Sequence, residues 1–162
     1  NYLGAALSPF NAYLVLLGLE TLSERVAKQV QNAQILADYL STHEAVEWVR
    51  YPGLPSSPYH TLAQRDFPKG AGGILSFGFK GTEAQREAFL NAVRLFHYHV
   101  NIGDARSLIV NSPQTTHHEL EPTEKQLADL PANLIRISAG LEDPSDLIAD
   151  LEQAFQKAAA IQ

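Results

Sequence analysis

The sequence predicts an α+β fold built on an antiparallel sheet, and three observations predict it. The apolar patterning gives the order helix, strand, helix, strand, helix, strand, strand, helix, strand, helix. Two of those strands, Leu95–Val100 and Ser107–Val110, are separated only by the polar turn Asn101–Arg106, which favours antiparallel neighbours over a doubly wound sheet. The last strand, Leu134–Ser138, runs through Gly140 into a helix that opens at Asp143-Pro144 and carries Leu147, Leu151 and Phe155 on one face.

Taken in order, Ser8-Pro9 starts a helix, with serine as the cap and proline in the first turn. Only Gly18 interrupts it before Ser41-Thr42, so it would be roughly 50 Å long at 1.5 Å per residue. Residues Tyr13–Leu17 are apolar all round, as in a fully buried helix, and Gly18 is the expected bend. From Leu19 the pattern narrows to a stripe through Leu22, Val26, Val30, Ala33, Leu36 and Leu40. Val46–Val49 is a short strand ended by Tyr51-Pro52-Gly53, and Tyr59–Arg65 a short helix. Gly70, Gly72 and Gly73 precede the strand Ile74–Phe79; a phosphate cradle would precede a helix, so they read as turn residues. Thr82 caps a helix to about Val93, with Phe89 and Val93 inward. Residues 111–123 are loop, Thr123–Leu130 a short helix, and Pro144 to about Ala159 the last helix.

Composition narrows the function. The 162 residues suffice for one domain with a real core, and 45% hydrophobic with 19% charged is an ordinary globular balance. A net charge of −6 without a basic stripe argues against nucleic acid. The absence of cysteine excludes disulfides and thiol chemistry and fits a reducing, cytoplasmic setting. The stretch Leu3–Leu19 contains Ser8, Pro9 and Asn11 and lacks a basic flank, so neither a signal peptide nor a membrane span is expected. The chain opens at Asn1 and contains no methionine; it reads as a fragment that begins inside a larger folded protein. The first half of its long helix would then have lost a partner surface, which predicts self-association or mobility over residues 1 to 18.

Among candidate chemistries, His97 and His99 share a strand face and His117-His118 lie in a loop, but no third ligand at zinc spacing accompanies them. Ser107 lacks a nucleophile elbow and reads as a strand-edge hydroxyl. Lys28, Lys69, Lys80, Lys125 and Lys157 all lie in polar stretches, unlike a desolvated Schiff-base lysine. Arg136 projects from the last strand opposite Ile135 and Ile137. Its planar fork suits a carboxylate, and pairing with one of the 18 acidic residues is the structural alternative.

Four stretches carry a resemblance: LSPFNAYLVLLGLETLSERV, YPGLPSSPYHTLAQRDFPKGAGGILSFGFKG, NIGDARSLIVNSPQTTHHEL and LIRISAGLEDPSDLIADLEQAF. Together they resemble the pyridoxal-phosphate enzymes of cysteine and methionine metabolism. The turn Gly103-Asp104-x-x-Ser107-Leu108-Ile109 is most similar to that of the O-acetylhomoserine sulfhydrylases. The resemblance implies the small C-terminal domain of an aspartate-aminotransferase-like, fold type I enzyme, with an antiparallel sheet and helices on one side. Residues 1–42 would be the interdomain helix and 43–162 the domain. It implies that pyridoxal 5'-phosphate and the catalytic lysine belong to a preceding domain, so that no catalytic, cofactor-binding or metal residue is expected here. It implies substrate binding by Arg136 on the amino-acid α-carboxylate, by Ser107 and Leu108 beside the cofactor lysine, and by Thr116 near the arginine. It also implies a homo-oligomer, a tetramer as the full enzyme. Asn111-Ser112-Pro113 departs from the His-Pro-Ala-like sequence common at that place. A cystathionine synthase or lyase, a methionine lyase, and a stand-alone scaffold domain are the alternatives.

Overall fold

In the computed structural model, which describes residue 4 and residues 6–161, a five-stranded sheet and six helices form a mixed α/β arrangement. The helices are α1 (Pro9–Glu20), α2 (Leu22–Thr42), α3 (His60–Asp66), α4 (Glu83–Ala92), α5 (Pro122–Leu127) and α6 (Pro144–Ala159). The strands are β1 (Val46–Arg50), β2 (Ile74–Phe79), β3 (His97–Tyr98), β4 (Leu108–Val110) and β5 (Leu134–Ser138), in the spatial order β1-β2-β5-β4-β3. No described helix is long and apolar enough to cross a membrane.

Alternation divides the sheet into two faces. Leu75, Phe77, Ile109, Ile135 and Ile137 point into the core with Leu36 and Leu40 of α2, Phe89 of α4 and Leu147, Leu151 and Phe155 of α6. Phe155 sits at the centre, with ring centroids 4.5 Å from Phe89 and about 6 Å from Phe77 and Phe79. The opposite face carries Trp48, Arg50, Ser76, Gly78 and Arg136. A Cβ on Gly78 would lie 2.3 Å from the Trp48 indole nitrogen, so the indole lies flush on β2 only because that residue is glycine.

The helix ends follow from their caps. Thr82 and Gln85 form a reciprocal capping box on α4, and Asp143 caps α6 through Ser145 N–H at 2.8 Å. Helix α5 begins earlier than expected, at Pro122, because Glu121 and Glu124 form a second capping box there.

Three expectations fail for identifiable reasons. The long helix breaks at Thr21 rather than Gly18; the Arg25 guanidinium reaches back to the Gly18 carbonyl, at 2.8 Å, and to the Thr21 hydroxyl. The strand expected over 95–100 shrinks to His97–Tyr98, since the N–H groups of 94–96 donate to the Asp150 carboxylate instead of to the sheet. That strand pairs with β4 in parallel, His97 beside Leu108, not antiparallel. The 101–107 turn folds back over the end of β5, with Gly103 (φ 76°) donating to Ser138 Oγ and Leu141 N–H to the Ala105 carbonyl. The chain therefore enters β4 from the same end as β3.

Tyr13–Leu17 is not buried: α1 has no buried residue, and Phe10, Leu14 and Leu17 are exposed. Along the stripe on α2, burial is reached only at Ala33, leaving Leu22 and Val26 exposed as well. A continuous apolar surface of this kind drives association. The chain is expected to sediment with a concentration-dependent mass, and Leu14→Gln with Leu17→Gln to restore a monomer. A wild-type monomer at high concentration would count against this.

Candidate carboxylate site on the open sheet face

Arg50 on β1, Ser76 on β2, Arg136 on β5 and Val110 on β4 stand in one register row across the open face. Above this row lies a cleft of about 260 Å³, walled also by Ile74, Leu134, Leu130, Ser112 and His117. The loop between β4 and β5 supplies the last three and roofs the cleft.

The two arginines differ in their partners. Arg50 is satisfied: its Nη1 donates to the Asp129 carbonyl at 3.1 Å, its Nη2 to the Asp129 carboxylate at 2.9 Å, and its guanidinium lies 4.4 Å from the Trp48 ring centroid. Asp129 adopts a left-handed φ of 52° at this contact. Arg136 is half-buried and forms no ion pair with any described carboxylate. Its Nη2 donates weakly to the Asn101 carbonyl at 3.3 Å, and its buried Nε has no described partner. Burial pushes its guanidinium below the ordinary arginine value, because water is removed and no counter-charge replaces it. A planar cation in this state is short of an acceptor, and a carboxylate docked on it would supply two.

The other expected site residues lie around this cleft rather than in it. The Thr116 hydroxyl donates to the Ser112 carbonyl at 3.2 Å and sits 2.7 Å from His117 Nδ1, so it orients a ring that does line the cleft. Ser107 is 0% exposed; its hydroxyl donates to Glu142 at 2.8 Å and accepts from Gly140 N–H at 2.8 Å. Leu108 is buried and faces a separate notch with His97, His99 and Arg106. Arg50, Ser76, Ser112 and the Asn101 carbonyl are site groups that pattern reading missed, and His117 was weighed only as a metal ligand. Ser76 was available from its alternation with Leu75 and Phe77; nothing local marks the others.

No group of three or more His, Asp or Glu side chains that could hold a metal occurs among the described residues. A larger cleft of about 430 Å³ between α2 and α3 offers His60 as its one ionisable side chain.

The sheet thus packs α2, α4 and α6 on one face, and the other carries a small cleft with a guanidinium that has no carboxylate partner among the described residues. The chain belongs to the Cys/Met metabolism PLP-dependent enzymes, whose family model matches residues 1–156. It is 42% identical over 152 residues to O-acetyl-L-homoserine sulfhydrylase 1 of Thermus thermophilus, covering 94% of this chain and 36% of that protein. It is equally 42% identical over 153 residues to the L-methionine gamma-lyase of Pseudomonas deceptionensis, covering 94% of this chain and 38% of that one. The crystal structure of cystathionine gamma synthase from Xanthomonas oryzae in complex with cystathionine superposes with a TM-score of 0.91 at 36% identity, over 99% of this chain and 41% of the other. The chain thus spans little more than a third of the length of these relatives. The family's cofactor is pyridoxal phosphate. The cleft does not fit that group: its aldehyde needs a lysine amine and its phosphate a cradle of backbone N–H groups, and no lysine or glycine lines the walls. The residues present, an arginine fork with serine hydroxyls beside it, suit a carboxylate group.

Proposed function

We propose that this chain is the substrate-carboxylate-binding C-terminal domain of an O-acetylhomoserine sulfhydrylase of fold type I. Residues 1–42 form the helical entry and 43–162 the domain. The complete enzyme exchanges the acetate of O-acetylhomoserine for sulfide, giving homocysteine and acetate. It works in the cytoplasm as a homo-oligomer, a tetramer. Pyridoxal phosphate and its lysine come from another part of the enzyme. The observation that carries this reading is the half-buried guanidinium of Arg136, aimed into a cleft and without a carboxylate partner among the described residues. Arg136 takes the α-carboxylate, Thr116 acts through His117, and Ser107 and Leu108 shape the site as the exit of the 101–107 turn.

The choice of sulfhydrylase rests on the Gly103-Asp104-x-x-Ser107-Leu108 turn and on Tyr51-Pro52-Gly53. A methionine lyase is the second reading, favoured by the equal identity to such an enzyme. Assays of the complete enzyme separate them: O-acetylhomoserine with sulfide is expected to give a higher kcat/KM than O-acetylhomoserine with cysteine, or than methanethiol release from methionine. Cysteine as the better acceptor, or methionine as the better substrate, would overturn the sulfhydrylase assignment and leave the family intact.

A further inference from the structure

The 101–107 turn is the element that touches Arg136 from the side, through the Asn101 carbonyl at 3.3 Å. It has internal bonds, from Ile102 N–H to Asn101 and from Arg106 to the Asp104 carboxylate, and it is moored from outside at four places. Gly103 N–H donates to Ser138 Oγ at 3.1 Å, and the Asp104 carbonyl accepts from Gln29 Nε2 at 3.0 Å. The Ala105 carbonyl accepts from Leu141 N–H at 2.9 Å. At the exit, Glu142 takes Ser107 twice: Oε1 accepts the backbone N–H at 2.7 Å and Oε2 the hydroxyl at 2.8 Å. The same hydroxyl accepts from Gly140 N–H, and Asn32 of α2 donates to the carbonyls of Gly140 and Glu142 at 3.0 and 2.8 Å. Gly140 leaves no room for adjustment, since a Cβ there would lie 2.5 Å from the Ala105 carbonyl oxygen.

Glu142 is the only one of these anchors that carries a charge, and charge-assisted bonds are roughly twice as strong as neutral ones. Its target is fully buried, so removing the carboxylate would leave the Ser107 N–H without an acceptor and without water. The connection to Arg136 is short in sequence as well as in space. Arg136, Ser138, Gly140 and Glu142 follow one another along β5 and its exit, so the strand that bears the guanidinium also carries two of the anchors.

We propose that Glu142 is a positioning residue for carboxylate binding, acting by clamping Ser107 so that the 101–107 turn holds Arg136 in its cleft-facing orientation. The inference rests on the reading of Arg136 as the carboxylate ligand. A clamp of this kind acts on the geometry of the binding group and not on the chemical step, so it should appear in KM and spare kcat.

The test uses the complete enzyme with Glu142→Ala, Glu142→Gln, Arg136→Leu and the double variant Glu142→Ala/Arg136→Leu. KM for the amino-acid substrate and kcat are measured separately, and amide exchange is followed over residues 103–107. Glu142→Ala is expected to raise KM about tenfold with kcat changed by less than about twofold, and Glu142→Gln, which keeps one acceptor, to raise KM about threefold. Exchange should quicken over 103–107 and stay slow in β2 and β5. Added to Arg136→Leu, Glu142→Ala should cost almost nothing more, because both act through one guanidinium. An unchanged KM in Glu142→Ala, or an equal loss on the Arg136→Leu background, overturns the inference while leaving Arg136 as the ligand. A silent Arg136→Leu overturns the carboxylate reading and this inference with it. If Glu142→Ala does not fold, the Glu142→Gln comparison decides, with the same two overturning results.

Discussion

Asp150→Ala is expected to cost the fold about 3–4 kcal/mol. Asp150 stands on α6 among Leu147, Leu151 and Ala154, on the face that packs inward, and it is itself 7% exposed. Its carboxylate accepts four contacts from three consecutive backbone N–H groups, those of Arg94, Leu95 and Phe96, at 2.8 to 3.1 Å. Gln153 adds a fifth from its side-chain amide at 3.1 Å. Truncation strands these donors in a region where Phe96 is buried and water does not replace the lost oxygen. Hydrogen bonds to a charged acceptor are worth about 1.5–3 kcal/mol each, and partial exposure at Arg94 reduces the sum. For a chain of this size the loss corresponds to a melting temperature lower by roughly 6–16 °C. Asp150→Asn keeps one acceptor oxygen but turns an amide NH₂ toward the donors, so about half the loss should remain. Urea unfolding of the three proteins measures this directly. A change below about 1 kcal/mol in Asp150→Ala would mean that the 94–96 turn finds other acceptors.

That same aspartate shows where local reading of the chain stops. The strand Leu134–Ser138, the helix after Asp143-Pro144 and the Thr82 cap were all legible, because alternation, periodicity and capping act within a few residues. The strand before the 101–107 turn was cut to two residues by a carboxylate more than fifty positions away, which no local pattern records. The parallel pairing of β3 and β4 has the same origin: the turn between them is held by Gln29 of α2 and by Ser138, Leu141 and Glu142 at the end of β5, two distant parts of the chain. For the site, alternation placed Arg136 on the open face correctly. Whether it met an acid there depended on tertiary packing, and Arg50 shows the opposite outcome in the same register row, with Asp129 brought to it by the loop before β5. The apolar run of α1 is legible in the same local way: hydrophobicity all round predicts a need for cover, and none of its residues is buried by the described residues, as expected of a helix half that has lost its partner surface.

Arg136→Leu in the complete enzyme is expected to lower kcat/KM by about thirty- to several-thousand-fold, from about 2–5 kcal/mol for loss of a charge-assisted bidentate pair in a partly dry site. The free protein already bears the cost of desolvating this guanidinium, which burial has pushed below its ordinary value and which has an unpartnered Nε. On the proposed function, substrate would meet a cation that has already lost part of its water, held between Asn101 and the cleft wall, and little further ordering would be required. The same observation fixes the sign of the stability change. A structural arginine paired with an acid would destabilise the fold when removed, because the acid would be left alone. Arg136 has no such acid among the described residues, so Arg136→Leu should leave the melting temperature unchanged or slightly raised. Arg136→Lys should recover little activity, because an ammonium point charge on a flexible stem reproduces neither the fork nor its direction. Cofactor content should be unaffected in both variants, since no cleft residue is suited to the cofactor. Near-normal kcat/KM with a lowered melting temperature in Arg136→Leu would falsify carboxylate binding by Arg136 and make it a structural residue of the sheet.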